Sequence, residues 1–322
     1  MPPSTSIDRR RLLQLLLAAT ALPAASRAQP DLSRTMGRTL ADRGSAHYRF
    51  ETFALQSADG QRHYRVWLAI PRGGSPASGF PSLYLLDGNA VLHHLRERWL
   101  QPLMQAEPPV LVMVGYDTEK LFDVTARQRD YTPAAPGEDI AVDPRWPDRP
   151  GGGAAAFLQL LEQRIKPEVA RRVPLDSDRQ SLWGHSFGGL FTLFALCNRA
   201  GFKNYIPVSP ALYWHRHVIG RYVARLQATP AGTRLWLARG DREARVPRDA
   251  TAEQAAAIRR RASAEFTAAR EALAGTAGLE IHSHEFPGLG HGEALVASLP
   301  RALRIAAGIP AGHGLMERPH EL

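Results

Sequence analysis

The sequence predicts an α/β fold, a mostly parallel central sheet with helices on both faces. Three observations point there. Two continuous apolar runs, Ser82-Leu83-Tyr84-Leu85-Leu86 and Val110-Leu111-Val112-Met113-Val114, stop at glycines, as strands buried on both faces do. Helical stretches separate such runs, which is the pattern of a parallel sheet with crossovers. Finally, Ser181-Leu182-Trp183 feeds into Gly184-His185-Ser186-Phe187-Gly188-Gly189 and then apolar Leu190 to Leu196, a strand, a tight turn and a buried helix. The 322 residues suffice for one large domain or two small ones, and 44% hydrophobic with 22% charged residues can bury a full core.

The first 28 residues read as a cleaved export signal. Asp8-Arg9-Arg10-Arg11 carries paired arginines before the apolar run Leu12 to Leu22, and Ser26-Arg27-Ala28 is a small-x-small cleavage pattern. The twin-arginine flavour suits export after folding. The run is about half of the roughly 20 residues needed to span a bilayer, so no stable span is expected. A periplasmic or secreted bacterial protein is implied, with the export machinery as a partner. Residues 29–44 form a lead-in, 45–308 the folded domain and 309–322 a C-terminal tail. The formal charge of +9 falls to about +6 without the signal's four arginines and one aspartate. The basic residues are scattered, which excludes a nucleic-acid module but allows a preference for an anionic ligand.

Tyr48 to Leu55 and Arg62 to Ile70 read as an outer strand pair, since Tyr64, Val66, Leu68 and Ile70 alternate with Arg65, Trp67 and Ala69. The strands Ser82–Leu86 and Val110–Val114 follow. Tyr116 to Gly153 shows no clear period, and loops of that length are often functional. Ala154 to Arg172 is helical with a kink or break at Pro167. The strand Arg179–Trp183 leads into the turn at Ser186 and its helix. Then come a strand at Tyr205–Val208, a helix near Trp214–Gln227, a strand at Arg234–Ala238, an alanine-rich helix at Ala252–Ala274, a last strand at Glu280–Phe286 and a closing helix at Ala294–Ala307. Cys197, the one cysteine, lies in the helix after the turn and reads as a packing residue with no disulfide.

Gly184-His185-Ser186-Phe187-Gly188 is a nucleophile elbow. The serine of such a turn stands on a strained strand-to-helix junction, and only residues without a bulky side chain fit two positions to either side, which Gly184 and Gly188 supply. A serine hydroxyl needs a base, and the base needs an orienting acid. His291 is the expected base, because Gly288-Leu289-Gly290-His291-Gly292 follows the last strand and its glycines let a loop carry the imidazole across the sheet edge. His93, His94, His215, His217, His282 and His284 read as surface or packing residues. No ligand spacing supports a metal, and no cofactor is expected. The acid belongs after the preceding strand, where Gly240-Asp241-Arg242-Glu243 offers Glu243 first, Asp241 second, or no acid. Two backbone donors, the N–H groups of Phe187 and Asn89, are expected to form an oxyanion hole. Asp87 is expected to hold that loop.

Several segments together resemble one family: Tyr84-Leu85-Leu86-Asp87-Gly88-Asn89-Ala90, Val114-Gly115-Tyr116, Arg127-Gln128-Arg129-Asp130-Tyr131-Thr132-Pro133, Gly151-Gly152-Gly153, the elbow, and Phe286-Pro287-Gly288-Leu289-Gly290-His291-Gly292. Over residues 45–308 the chain is similar to the esterase D-like branch of the α/β-hydrolase superfamily, and within it to the periplasmic trilactone esterases of catecholate siderophores such as enterobactin and salmochelin. The resemblance implies an α/β-hydrolase fold and a serine esterase with Ser186 as nucleophile and His291 as base. It implies an acid position that varies among members, and an anionic catecholate siderophore as the small-molecule ester substrate. Arg127 matches a family arginine placed near the substrate; by its chemistry it could equally form a salt bridge to Asp130 or another carboxylate. Two other readings stay open: a feruloyl, acetyl or S-formylglutathione esterase of the same branch, and a non-catalytic binding protein on a hydrolase fold.

Overall fold

A computed structural model describes residues 33–143, 146–244, 246, 247 and 249–310. The expected export signal and all but the first two residues of the expected tail lie outside the described residues. Eight strands form one sheet in the order β1-β2-β4-β3-β5-β6-β7-β8. They are β1 (Tyr48–Gln56), β2 (His63–Pro71), β3 (Phe80–Leu86), β4 (Val110–Tyr116), β5 (Leu175–His185), β6 (Asn204–Val208), β7 (Ala228–Gly240) and β8 (Ala277–Phe286). β2 runs antiparallel to both β1 and β4, and every other pair is parallel. The α/β-hydrolase fold expected from the elbow is the fold found.

The helices are α1 (Leu40–Arg43), α2 (Gly88–His94), α3 (Glu97–Leu100), α4 (Val124–Tyr131), α5 (Ala154–Leu160), α6 (Lys166–Arg172), α7 (Phe187–Cys197), α8 (Ile219–Val223), α9 (Ala252–Ala274) and α10 (His291–Ala306). Strand alternation splits the core in two. Tyr64, Val66 and Leu68 of β2, Tyr84 and Leu86 of β3, and Val112 and Val114 of β4 pack with α5 and α7 on one face. Trp67, Leu83, Leu85, Leu111 and Met113 pack with α2 and α10 on the other. Side chains that alternate along each strand therefore supply both helical layers. Before α1, Thr35 bridges to Lys120, so the chain is already docked on the loop after β4 ahead of β1.

Three stretches differ from expectation. Residues 116–153 are not featureless, because α4 lies within them, capped by the Asp123 carboxylate accepting from the Ala126 N–H at 3.0 Å. Its buried residues include Arg127, Gln128 and Asp130, so no apolar period marks it. The 154–172 helix is interrupted by a wide π turn at Leu161–Ile165. Pro167 has no N–H to give residue 163 and its ring crowds that carbonyl, so the helix widens ahead of it. The expected Trp214–Gln227 helix shrinks to α8. Ahead of it His215, Arg216 and His217 all take left-handed backbone, with φ of 41°, 57° and 59°. For residues with a Cβ this costs about 1–2 kcal/mol each.

Candidate active site

Ser186 sits between β5 and α7 with φ 60° and ψ −114°. This is a sparsely populated conformation for a serine, and the surroundings enforce it. The Ser186 N–H donates to the Val208 carbonyl at 3.0 Å, and the Ser186 carbonyl accepts from Leu190 and Ala211 at 2.9 and 3.1 Å. A Cβ on Gly184 would lie 2.3 Å from the Gly188 carbonyl oxygen, so glycine is required there. The N–H groups of Phe187 and Asn89 stand in the first turns of α7 and α2, among the donors that a helix leaves unpaired within itself.

The loop from β3 to α2 lies against the elbow. Asp87 has left-handed backbone, φ 53°, and its N–H donates to the Tyr131 hydroxyl at 3.1 Å. Its carboxylate would be 3.6 Å from a Cβ on Gly188. The Asn89 side chain ties the same loop to the end of β4. Its amide donates to the Tyr116 and Thr118 carbonyls at 3.0 and 2.8 Å, and its oxygen accepts from the Tyr116 N–H at 2.9 Å. Gly115 must lack a Cβ, which would meet that oxygen at 2.1 Å.

Arg127, expected at the substrate, is placed against Asp87. Its Nε and Nη2 donate to the two Asp87 oxygens, each at 2.8 Å, and the side chain is 10% exposed. The guanidinium also lies 5.3 Å from the Phe187 ring and 5.7 Å from the Tyr131 ring. Burial works against its charge, but Asp87 outweighs burial and holds the group protonated. Asp130 is occupied elsewhere, by Arg62 at 2.9 Å and by the hydroxyls of Tyr64 and Tyr116.

At the other end of the sheet, β7 and β8 deliver Glu243 and His291 side by side, with Glu243 Oε2 3.2 Å from His291 Nδ1. Oε1 of Glu243 accepts from the Gly240 N–H at 2.6 Å and from the Ser209 hydroxyl. Burial alone would raise this carboxyl; the His291 hydrogen bond and charge, with Ser209 and Gly240, outweigh burial and hold it below the usual range. Asp241, the second candidate, accepts instead from the Gly288 N–H at 2.7 Å and so pins the turn that precedes His291. Gly240 lets that turn pass, because a Cβ there would lie 2.2 Å from the Leu289 carbonyl oxygen.

His185 is a site residue that sequence reasoning passed over. It lies 2.8 Å by Nε2 from the His291 carbonyl oxygen, and the two rings are 4.6 Å apart. A carbonyl only accepts, so Nε2 carries the proton. Burial, and then the neighbouring His291, push His185 well below the usual histidine range and keep it neutral. Its place between a buried strand and the nucleophile was the available signal. Ser209 was likewise missed; it is a left-handed residue, φ 47°, at the end of β6. Among the described residues, no group of three or more His, Cys, Asp and Glu side chains could hold a metal, and no helix is long and apolar enough to cross a membrane. Cys197 ends α7, where burial pushes its thiol up to about 12.

The geometry is thus a serine elbow with a braced backbone loop against it, and a carboxylate–imidazole pair whose histidine packs on His185, the residue before the nucleophile. Known proteins resemble this chain. The chain is 45% identical over 185 residues to the apo-salmochelin esterase of Escherichia coli O6:H1 (strain CFT073), a match that covers 58% of each chain. It is 30% identical over 269 residues to the ferri-bacillibactin esterase BesA of Bacillus subtilis (strain 168), covering 80% of this chain and 89% of that one. Among solved structures, the enterobactin hydrolase IroE in complex with DFP superposes with a TM-score of 0.66 at 36% identity, covering 84% of this chain and 99% of that one. Residues 57–305 match the family described as "Putative esterase". The chain belongs to this esterase family, on the α/β-hydrolase fold, and is a hydrolase of ester bonds.

Proposed function

We propose that the protein is an exported serine esterase that cleaves the ester bonds of a catecholate siderophore trilactone, with or without iron, through a Ser186–His291–Glu243 triad. The observation that carries the mechanism is the 3.2 Å contact of Glu243 with His291 Nδ1. It leaves Nε2 of His291 as the base for the strained Ser186 hydroxyl. Ser186 attacks the ester carbonyl as its proton passes to His291. The N–H groups of Phe187 and Asn89 hold the oxyanion. His291 then gives the proton to the leaving alkoxide, and water, deprotonated by the same imidazole, releases the acyl group. Arg127 acts through Asp87, fixing the loop that presents Asn89. The substrate class is supported by the relatives, whose names include salmochelin, bacillibactin and enterobactin esterases or hydrolases. Export to the periplasm rests on the paired arginines and apolar run of residues 9–22.

The test is incubation with apo and ferric enterobactin, followed by mass analysis of the products. Hydrolysis to linear fragments is expected, and Ser186→Ala and His291→Ala should each lower it by several orders of magnitude with little further loss in the double variant. Near-normal turnover in either single variant overturns the assignment. Absence of products with an intact p-nitrophenyl butyrate activity overturns the substrate.

A further inference from the structure

Between the 135–143 loop and the 213–221 segment lies a cleft of about 520 Å³ that the catalytic machinery does not use. A volume of this size is in the range that encloses small molecules. Its walls are locked together: Trp214 Nε1 donates to the Pro133 carbonyl at 3.1 Å, and the Tyr222 hydroxyl donates to the Ala134 carbonyl at 2.9 Å. It lies on the Phe187 side of the nucleophile, because Trp214 packs edge-on against Phe187 with ring centroids 5.4 Å apart.

The lining combines apolar surface and cations. Tyr213 and Val142, 39% and 44% exposed, offer a ring face and an aliphatic patch. Arg216 and Arg221 are exposed in the same cleft. Of the two acids on the opposite wall, Glu138 lies 3.8 Å from His215, and Asp143 is buried with a partner of its own. The wall that carries His215 and Arg216 is the run of three left-handed residues. Backbone strain of this kind is retained where a ligand is clamped, and here it sets His215 and Arg216 on the cleft wall.

We propose that this cleft seats one catecholate arm of the ester while a lactone carbonyl is presented to Ser186. The catechol ring lies against Tyr213 and Val142, and its adjacent oxygens accept from the guanidinium groups of Arg216 and Arg221, whose forked donors match paired oxygens. This assignment rests on the siderophore reading above.

The test is the double variant Arg216→Asn, Arg221→Gln, in which asparagine tolerates the left-handed backbone at 216. KM for apo enterobactin should rise at least tenfold with kcat unchanged, and turnover of p-nitrophenyl butyrate, which has no such arm, should change less than twofold. Independently of turnover, 2,3-dihydroxybenzoylserine should bind the parent protein by calorimetry at pH 8 and bind the variant at least tenfold more weakly. An unchanged KM with unchanged binding overturns the subsite and leaves the esterase reading standing. Equal losses of kcat on both esters also overturn it, since the two arginines are then structural. If the parent cleaves p-nitrophenyl butyrate but not enterobactin, the substrate reading fails; the subsite then stands only if the monomer binds the parent and is lost in the variant, and falls if the monomer does not bind.

Discussion

Glu243→Gln separates a working triad from a Ser-His pair, and the structure fixes the direction of the effect. Glu243 holds two kinds of partner. Oε1 accepts from the Gly240 N–H at 2.6 Å and from Ser209, while Oε2 faces His291 Nδ1 at 3.2 Å. A glutamine has one oxygen. The Gly240 N–H can only donate, so it retains that oxygen, and the new NH2 turns toward His291. That amide must donate to Nδ1, which drives the imidazole proton to Nε2, where the base has to be bare. The tautomer is then wrong for accepting the Ser186 proton. In a triad of known geometry, the comparable change costs about 10⁴ in turnover. Glu243→Ala loses the charge and the acceptors that Gly240, Ser209 and His291 used, but puts no donor against Nδ1, so the imidazole can still take the tautomer with a bare Nε2. At an effective dielectric of about 20, unit charges 3.2 Å apart interact by about 5 kcal/mol. The His291 side chain is 39% exposed, and screening there brings this to about 2–3 kcal/mol, roughly 30- to 150-fold. Glu243→Gln should therefore be the worse enzyme, by at least tenfold in kcat on p-nitrophenyl butyrate at pH 8. Both variants within tenfold of the parent would refute the triad, and Glu243→Ala slower than Glu243→Gln would refute the tautomer argument.

Arg127→Ala leaves the Asp87 carboxylate buried without its partner, at a cost of about 3–5 kcal/mol, so the melting temperature should fall by about 10 °C and turnover of enterobactin and p-nitrophenyl butyrate should fall together. A loss confined to enterobactin would instead make Arg127 a substrate ligand. His185→Ala removes the donor to the His291 carbonyl and should lower kcat by about tenfold to a hundredfold with KM unchanged, since an abandoned buried acceptor costs about 1–3 kcal/mol. His185→Gln, which can place an N–H near the same point, should recover most of that loss, and equal activity of the two variants would end the positioning role.

What the residues announced in advance were the steric necessities. Gly184 and Gly189 mark the elbow because a Cβ there would lie 2.3 Å from the Gly188 carbonyl oxygen and 2.7 Å from that of Val208, whereas at Gly188 a Cβ would meet only ordinary contacts; the strand runs mark themselves because both sheet faces are covered. The stretches that stayed hidden break the usual coupling of burial to apolarity. Helix α4 buries Arg127, Gln128 and Asp130, so a pattern based on hydrophobic spacing sees nothing. The left-handed run at 215–217 is made of histidine and arginine; histidine is enriched at positive φ, but only over a base of a few per cent, too weak a signal to mark three such residues in a row. The choice of Glu243 over Asp241 turns on which of two carboxylates three residues from Gly240 or nearer meets His291, and that is decided by how the β8 turn crosses β7.

The basic balance of the chain also reads differently once the pairs are known. Arg127 and Arg62 both point inward, against Asp87 and Asp130, where removing either charge would strand the other. Such pairs brace the β3–α2 loop and the α4 segment in one arrangement. Cationic side chains that can respond to a substrate must then lie on exposed walls, and those of the 213–221 segment are joined to the nucleophile through Trp214 and Phe187. This separates the two tasks physically. The buried Arg127–Asp87 and Arg62–Asp130 pairs are mutually satisfied and need no substrate to hold them. On the proposed reading, selectivity would fall to exposed Arg216 and Arg221, which can be altered without opening the core. Salt should follow the same division, weakening capture of an anionic ester through the exposed arginines while leaving the buried Arg127–Asp87 pair, and with it the hydrolysis of a neutral ester, nearly untouched.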